Sequence, residues 1–172
     1  MTKQEIRKMI FSRRSQMTME EVEWRSQRIV DKVRGDSYYQ KANVVAIFYP
    51  MHQEINLLPL LVDTKTFVFP RVEKDGIHFY PYEKDKPFIK SSFGVMEPKG
   101  NKRMDHMIDY MLTPALAISK DYYRIGYGKA YYDRFLSINR PKRVVGVIYS
   151  SLVMDQIPHE SHDQQLDDMI EG

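Results

Sequence analysis

The sequence predicts an α/β fold: a single three-layer α/β/α domain with a mainly parallel central sheet and an N-terminal helical pair. Short β-rich runs alternate with helical stretches along the chain, which is typical of parallel sheets. The length of 172 residues fits one domain. Because no internal repeat or composition break divides the chain, we expect one domain over residues 1–172.

The first 34 residues have helical periodicity. Ile6, Met9, Ile10 and Arg13 recur at three- and four-residue spacing. This spacing predicts a first helix, which we expect to end near residues 15–17. A second helix is expected over about residues 19–34, begun by a Thr18–Glu21 capping box and ended by Gly35. Its apolar stripe consists of Val22, Ile29, Val30 and Val33.

After Gly35 the pattern changes to strands. The predicted strands cover residues 44–49, 66–69, 77–80, 108–112 and 144–148. The first is continuously apolar, as expected for a strand buried on both faces, and the second and third are joined by a turn at Asp75–Gly76. A helix is expected over residues 55–62, where Pro59 is tolerated only in the first turn, and another over residues 130–139. Residues 83–103 predict a long surface loop.

Composition excludes several classes of protein. The absence of cysteine excludes disulfides and thiolate metal sites, and we expect a cytoplasmic protein with a monomer as the default state. The N-terminus lacks the apolar stretch of a secretory signal, and no run of about 18 apolar residues predicts a membrane span. The net charge of +3 is modest and favours a small anionic ligand over nucleic acid.

The most informative segment is RIGYGKAYYD at residues 124–133, called the glycine loop below. Gly126 and Gly128 allow the backbone to approach a ligand and to point successive N–H groups at one anion. Arg124 and Lys129 add positive charge, and Asp133 is a hard oxygen ligand suited to Mg²⁺. The segment therefore predicts a site for a metal-bound polyphosphate, although two glycines alone are equally compatible with a simple tight turn.

The predicted strand order gives these charges a common target. Ligands of open α/β sheets bind outside the carboxyl ends of the strands. Residues 51–54 follow the first predicted strand, Arg71 follows the second, and residues 115–129 follow the strand that ends at Leu112. A helix that begins near Ala130 would direct its N-terminal dipole, roughly half a positive charge, toward the same crevice.

The extended loop, RIGYGKAYYDRFL at residues 124–136, resembles the signature of the 5-formyltetrahydrofolate cyclo-ligase family, which reads roughly R-L-G-x-G-x-G-Y-Y-D. Further segments fall in the family's order and extend the resemblance over nearly the whole chain: Lys3 with Arg7, then residues 51–54, 69–71, 93–98 and 113–116, and the acidic element at 162–167. The resemblance implies ATP- and Mg²⁺-dependent closure of 5-formyltetrahydrofolate to 5,10-methenyltetrahydrofolate, with release of ADP and phosphate.

The resemblance also implies roles for particular residues. Contacts to ATP are expected from Lys3, Arg7, Arg124, Gly126, Tyr127, Gly128, Lys129, Tyr131 and Tyr132, of which Arg124 and Lys129 would act on the transferring phosphoryl group. Asp133 and Asp163 would hold Mg²⁺, with Asp167 as an alternative to Asp163. The reduced folate, with or without a polyglutamate tail, would contact Tyr49, Met51, Glu54 and Phe93. No nucleic-acid or membrane partner is implied.

Each role has a simpler alternative in the sequence. Lys3 and Arg7 also fit a solvated helix face, Asp133 a first-turn carboxylate, Glu54 a helix N-terminal acid and Phe93 an apolar anchor.

Departures from the signature leave other functions open. Ala130 stands at the third glycine, where it is either strained at positive φ or already helical, and Ala115 and Ala117 stand where glycines are expected. One alternative is therefore a nucleotide- or folate-binding relative with weakened turnover. A nucleic-acid-binding module, suggested by the basic start and residues 99–103, would bind with a steep salt dependence.

Overall fold

The computed structural model describes all 172 residues. Its four α-helices are Lys3–Ser15 (α1), Met19–Gly35 (α2), Ser37–Lys41 (α3) and Tyr131–Ile138 (α4). Its eleven strands are Val44–Ala46 (β1), Thr66–Glu73 (β2), Gly76–Pro81 (β3), Ile89–Lys90 (β4), Met96–Glu97 (β5), Tyr110–Thr113 (β6), Ala117–Ser119 (β7), Arg124–Ile125 (β8), Arg143–Ile148 (β9), Val153–Met154 (β10) and Asp168–Glu171 (β11). Two 3₁₀ turns cover Leu58–Val62 and Ser150–Leu152. None of the helices has the length and apolarity to cross a membrane.

The predicted α/β class with a mainly parallel sheet is confirmed. Six strands form the main sheet in the order β11-β9-β6-β1-β2-β3, and every neighbouring pair is parallel except β2 with β3. The central strands β1 and β6 are buried along their whole length, as parallel strands covered on both faces must be. From β1 the chain proceeds to β2 on one side and later to β6 on the other, so the order changes direction between β1 and β6.

Different layers cover the two faces of this sheet. Successive residues of a strand point to opposite faces. A Cβ placed on Gly146 of β9 would lie 2.5 Å from Ile118 of β7, so a small sheet in the order β10-β7-β8 packs closely on that face. The next residue, Val147, shares a small cavity with Arg14 of α1 on the opposite face. Glycine at 146 is therefore required for the close approach of the two sheets.

The N-terminal helical pair is as predicted, with two differences in detail. α1 ends at Ser15, but its buried polar position is Arg14, whereas Arg13 is exposed. Only half of the expected capping box forms at α2: Thr18 Oγ1 accepts from the Glu21 backbone N–H at 3.1 Å. The Glu21 carboxylate instead accepts a hydrogen bond from Arg25 at 3.0 Å.

Some predicted elements are wrong in type or length. The helix expected over residues 55–62 is a 3₁₀ turn, because Pro59 cannot donate a backbone hydrogen bond and the Asn56 side chain accepts the N–H of Leu58 at 3.0 Å. The long loop over residues 83–103 contains the short hairpin β4–β5. The first strand stops at Ala46, after which Phe48 and Tyr49 diverge toward a cavity. The sequence did not predict α3, β7, β8, β10 or β11.

Candidate active site

A cavity of about 340 Å³, the central cavity, opens beyond the carboxyl ends of the parallel strands. Phe48 and Glu54 follow β1, Pro70 belongs to β2 and Pro114 follows β6, and all four line the cavity. This is the crevice where the strand order changes direction, the usual ligand position in an open α/β sheet. The volume is in the range of small-molecule sites.

The glycine loop closes one end of the central cavity with a strained backbone. Gly128 has φ of +104° and Ala130 has φ of +56°, both in the region that favours glycine. A Cβ on Gly126 would lie 2.9 Å from the Arg124 guanidinium, so a side chain at that position would displace this cation from its place. The Gly126 carbonyl accepts a hydrogen bond from Arg7 Nε at 2.8 Å, which anchors the loop to α1.

Ala130 is the residue at which the loop becomes a helix. It is the N-cap of α4, in a left-handed conformation and without a side-chain capping bond. The sequence left two alternatives for Ala130: a strained backbone at positive φ, or a position already within the helix. The strained backbone is correct, and the helical position is wrong. A methyl group in this conformation costs about 1–2 kcal/mol.

Four cationic side chains line the same end of the cavity: Lys3, Arg7, Arg124 and Lys129. Arg124 donates from Nη1 to the Pro114 carbonyl at 2.9 Å, while its Nε is buried without a hydrogen-bond partner. Burial lowers the pKa of Arg124, an effect that the charge of Asp133 partly offsets. An arginine held with unused donors beside a cavity is suited to bind an anionic ligand.

The neighbouring tyrosines complete this end of the central cavity. Tyr127, Tyr131 and Tyr132 all line it. The Arg124 guanidinium lies 5.0 Å from the centre of the Tyr132 ring, a cation–π distance. Burial raises the pKa of Tyr132, so its hydroxyl stays protonated at neutral pH.

Two carboxylates reach the cationic end. Asp163 forms an ion pair with Lys3 at 2.5 Å and accepts the Glu160 N–H at 2.8 Å. Burial alone would raise the pKa of Asp163, but these two partners outweigh it and the pKa is lowered. Asp133 lines the cavity and accepts the Gln164 N–H at 3.0 Å.

The alternative carboxylate, Asp167, lies elsewhere. It accepts hydrogen bonds from Arg140 at 3.2 Å and from the Val144 N–H at 2.7 Å, and it does not line the central cavity. No group of three or more His, Asp or Glu side chains is arranged to hold a metal ion. Two carboxylates beside a phosphate site are nevertheless the donor set with which Mg²⁺ is often bound, the phosphates and water supplying the other ligands.

The rest of the central cavity is lined mainly by apolar side chains, with two acids, Glu54 and Glu97, among them. Tyr49, Met51 and Glu54 line it, and the Glu54 carboxylate accepts the Met51 N–H at 2.8 Å. Burial raises the pKa of Glu54, while the Met51 N–H, the Tyr127 hydroxyl and the charge of Arg14 act in the opposite direction. A half-buried carboxylate such as that of Glu54, among apolar side chains, is well placed to orient a ring that carries N–H groups.

Phe93 is the one predicted contact that lies outside the central cavity. It occupies the tip of the β4–β5 hairpin and is 71% exposed. Its neighbours Val95, Met96 and Glu97 line the cavity instead. The nearby aromatic contact is made by Phe88, whose ring packs at 5.1 Å against that of Tyr49.

Sequence reasoning missed much of the apolar lining. The side chains concerned are Phe48, Pro70, Val72, Ile77, Val95, Met96, Pro114 and Ile125. Most lie in or just after a strand of the main sheet, so the position of the strand ends was the signal that could have found them.

The comparison with known proteins agrees with this geometry. The sequence model described as the 5-formyltetrahydrofolate cyclo-ligase family matches residues 1–172. The chain belongs to this family. The resemblance noted in the sequence is thereby confirmed over the whole chain.

Curated and solved members of the cyclo-ligase family share both sequence and fold with this chain. A 5-formyltetrahydrofolate cyclo-ligase of Mycoplasma pneumoniae is 27% identical over 157 residues, 87% of each chain. The Mus musculus enzyme of the same name is 24% identical, over 83% of this chain and 79% of its own. The NMR structure of Aquifex aeolicus 5,10-methenyltetrahydrofolate synthetase superposes with a TM-score of 0.89 at 29% identity, covering 99% of this chain and 90% of that one.

A second solved structure, the 5,10-methenyltetrahydrofolate synthetase of Mycoplasma pneumoniae, has a TM-score of 0.80 at 26% identity and covers 99% and 98% of the two chains. The cyclo-ligase family is one of ATP-dependent ligases of folate one-carbon metabolism, and the chain is an enzyme of that class.

Proposed function

We propose that this cyclo-ligase converts 5-formyltetrahydrofolate to 5,10-methenyltetrahydrofolate while ATP becomes ADP and phosphate. The observation that carries the proposal is that one cavity is lined by the cations of α1 and the glycine loop and also by apolar side chains with the carboxylate of Glu54 among them. Such a cavity can hold a polyphosphate and a ring system side by side. Family membership names the two substrates that suit it.

The chemistry requires activation of a formamide oxygen, which is a poor leaving group. Transfer of the γ-phosphoryl group of ATP to the formyl oxygen releases ADP and makes the formyl carbon electrophilic. The N10 lone pair then attacks this carbon, the N10 proton is lost, and the oxygen departs with phosphate. The protein supplies positioning and charge stabilisation rather than a covalent bond of its own.

The cationic end has the features that phosphoryl transfer needs. Arg124 and Lys129 would neutralise the charge that develops on the transferring group, with Lys3 and Arg7 on the other phosphates. The amides of the glycine loop, residues 126–128, would cradle the phosphate oxygens. The buried, partnerless Nε of Arg124 supports this assignment, because such a donor gains most when an anion arrives.

The donor set fits Mg²⁺ held between the protein and ATP. Asp133 and Asp163 would hold the ion, which when bound would neutralise phosphate charge. Because Lys3 already pairs with Asp163, entry of the nucleotide would redistribute this lysine between carboxylate and phosphate. We assign the second carboxylate to Asp163 rather than Asp167, since Asp167 is engaged by Arg140 outside the cavity.

The apolar lining around Glu54 would receive the reduced pterin. Glu54 would accept hydrogen bonds from the ring N–H groups, and Tyr49 and Met51 would pack on the ring. The tip position of Phe93 leaves its contact with the folate dependent on movement of the β4–β5 hairpin, so we place the aromatic contact of the resting enzyme on Tyr49, whose ring packs against that of Phe88. We further expect a cytoplasmic monomer with no nucleic-acid partner.

The direct test mixes purified protein with 5-formyltetrahydrofolate and Mg-ATP. We expect growth of the near-ultraviolet band of the methenyl product, and no growth when ATP or Mg²⁺ is omitted. Absence of turnover at high enzyme concentration would contradict the proposal. If tight nucleotide and folate binding persisted without turnover, the chain would instead be a weakened relative.

A further inference from the structure

Arg14 is buried behind the central cavity, on the face of α1 that packs against the protein. Its side chain is 5% exposed and continues the buried stripe formed by Ile6 and Ile10 at four-residue spacing. A guanidinium has five N–H donors and a fixed charge, so burying it is costly unless it is paired. Nη1 donates to the Tyr127 hydroxyl at 3.1 Å, while Nε has no hydrogen-bond partner. An apolar side chain would fill this position at lower cost, which points to a role beyond packing.

Arg14 and Glu54 face the same small space. A second cavity of about 10 Å³, roughly one water molecule in size, lies next to the central cavity. Arg14, Glu54 and Tyr149 supply its polar lining, and Arg14 is the only cationic residue in it. Glu54 lines both this cavity and the central one. Arg14 therefore lies close to Glu54 across a small space whose other lining residues are mostly apolar.

We propose that Arg14 is a positioning residue, which fixes the Tyr127 hydroxyl and keeps Glu54 available as an ionised carboxylate for the pterin. The proposal rests on the pterin-binding role given to Glu54 above. An opposite charge close by favours the ionised form of a carboxylate, and the effect is strongest where water is excluded. Arg14 itself would not touch either substrate.

The surroundings of Glu54 single out Arg14 as the fixed charge. Five titratable or charged groups interact electrostatically with Glu54. They are Arg14 on α1, His52 after β1, Tyr127 on the glycine loop, Tyr132 on α4 and Tyr149 after β9. Burial raises the pKa of Tyr149 to about 12 and also raises those of Tyr127 and Tyr132, so these tyrosines are neutral at physiological pH. His52 is exposed, so solvent weakens its influence on Glu54.

The first experiment does not depend on catalysis. The Glu54 carboxyl carbon is followed by NMR during a pH titration of protein labelled with δ-¹³C glutamate, its resonance being assigned by its loss in Glu54→Gln. We expect the midpoint to rise by about one pH unit or more in Arg14→Met and in Arg14→Gln. It should stay near the wild-type value in Arg14→Lys, which keeps the charge. Arg13→Met, at the exposed neighbouring position, is the matched control and should leave the midpoint unchanged.

The two neutral variants separate charge from hydrogen bonding. Gln retains an N–H donor for Tyr127, whereas Met retains only bulk, so a shift common to both assigns the effect to charge. If Met at this buried position prevents folding, Gln alone decides the question. A wild-type midpoint in a folded neutral variant would overturn the proposal, as would an equal shift in Arg13→Met.

The second experiment measures turnover as a function of pH. In Arg14→Gln we expect kcat/KM for the folate to fall about tenfold at neutral pH and to recover as the pH is raised, since the acid limb follows Glu54. KM for ATP should change less than twofold. A loss that persists at every pH would indicate general structural damage and contradict the proposal. If the wild type has no cyclo-ligase activity, the proposed function fails, while the NMR titration still decides whether Arg14 controls Glu54.

Discussion

Ala130 carries the strained backbone conformation that joins the glycine loop to α4. Replacing it by glycine removes a steric cost of about 1–2 kcal/mol but adds freedom to the unfolded chain worth about 0.4–1 kcal/mol. We therefore predict that Ala130→Gly leaves the free energy of unfolding unchanged or raises it by up to about 1.6 kcal/mol, as measured by urea denaturation.

Ala42 provides the matched control for this substitution. It caps α3 at φ of −72°, a conformation that costs alanine nothing. Ala42→Gly should therefore lower the free energy of unfolding, by about 0.4–1 kcal/mol from the backbone alone. Equal destabilisation by both glycine substitutions would show that residue 130 is not strained.

Lys129 and Asp133 carry the charges most directly assigned to phosphoryl transfer. We predict that Lys129→Ala and Asp133→Asn each lower kcat by about 10²–10³-fold, the loss typical of removing one group that stabilises transition-state charge. Circular dichroism and the midpoint of urea unfolding should remain near those of the wild type. Lys120→Ala is the control. That lysine pairs with Asp155 at an exposed site, so we expect the variant to have the turnover rate of the wild type. Near-wild-type rates in both active-site variants would remove the phosphate and metal assignments.

Individual residues also show which parts of the site can be predicted from a single sequence and which cannot. The glycine loop was found because glycines, cations and a carboxylate occur together in ten residues. Arg14 was missed because an arginine on a helix ordinarily faces solvent, and its exposed neighbour Arg13 fits the same periodicity nearly as well. Its four-residue spacing from Ile10 was the available signal. Phe93 was placed by order alone, and nothing local in the sequence indicates that Val95 and Met96 face the cavity instead.

At the scale of elements, prediction succeeded where a segment carries its own pattern. The helices α1 and α2 and the strands β2, β3, β6 and β9 have apolar repeats or runs long enough to identify. By contrast, β7, β8 and β10 are two or three residues long, and each exists because of a distant partner. β11 likewise forms only by pairing with β9, which lies some twenty residues earlier in the sequence. Such pairings depend on tertiary contacts that a local pattern does not contain.

His78, on strand β3 of the β2–β3 hairpin, makes the free energy of unfolding depend on pH. Its Nδ1 lies 2.6 Å from the Asp105 carboxylate and its Nε2 lies 2.8 Å from that of Asp75. Burial alone would lower the pKa of His78, but the two carboxylates outweigh it and the pKa is raised above 6.5. The folded state therefore holds this proton more tightly, and the resulting stabilisation is complete below about pH 6.5 and lost as the pH rises through the folded value.

Substituting this histidine should remove the pH dependence. We predict that His78→Gln lowers the free energy of unfolding more at pH 6 than at pH 9, as measured by urea denaturation at both pH values. His106→Gln, at an exposed position in the same region, should show no such difference. A uniform loss at both pH values would mean that His78 contributes by packing and not by charge.

At the scale of the whole molecule, the sheet and helices share one cluster of 39 buried apolar residues. The proposed ligand site draws on α1, the strand ends, the glycine loop and the segment around Asp163. Because these parts lie far apart in sequence, we expect the chain to unfold in one cooperative transition, with equal calorimetric and van't Hoff enthalpies. Two resolved transitions would contradict the single-domain prediction.

Nucleotide binding should stabilise this unit as a whole. Mg-ATP at 100 times its Kd adds about 2.7 kcal/mol to the free energy of unfolding. For a chain of this size that corresponds to an increase in Tm of about 5–10 °C. We predict such an increase in a thermal shift assay, and a smaller one in Lys129→Ala at the same concentration. No increase at millimolar Mg-ATP would argue against the nucleotide site.

The bonds from α1 to Gly126 and Asp163 have a consequence for biosynthesis. Translation makes this helix before its partners in the glycine loop and around residue 163, which follow more than a hundred residues later. Until then Arg7 and Lys3 of α1 lack the partners that these two bonds give them. The nucleotide end of the cavity therefore forms only after residue 163 has been made, although α1 is complete more than a hundred residues earlier.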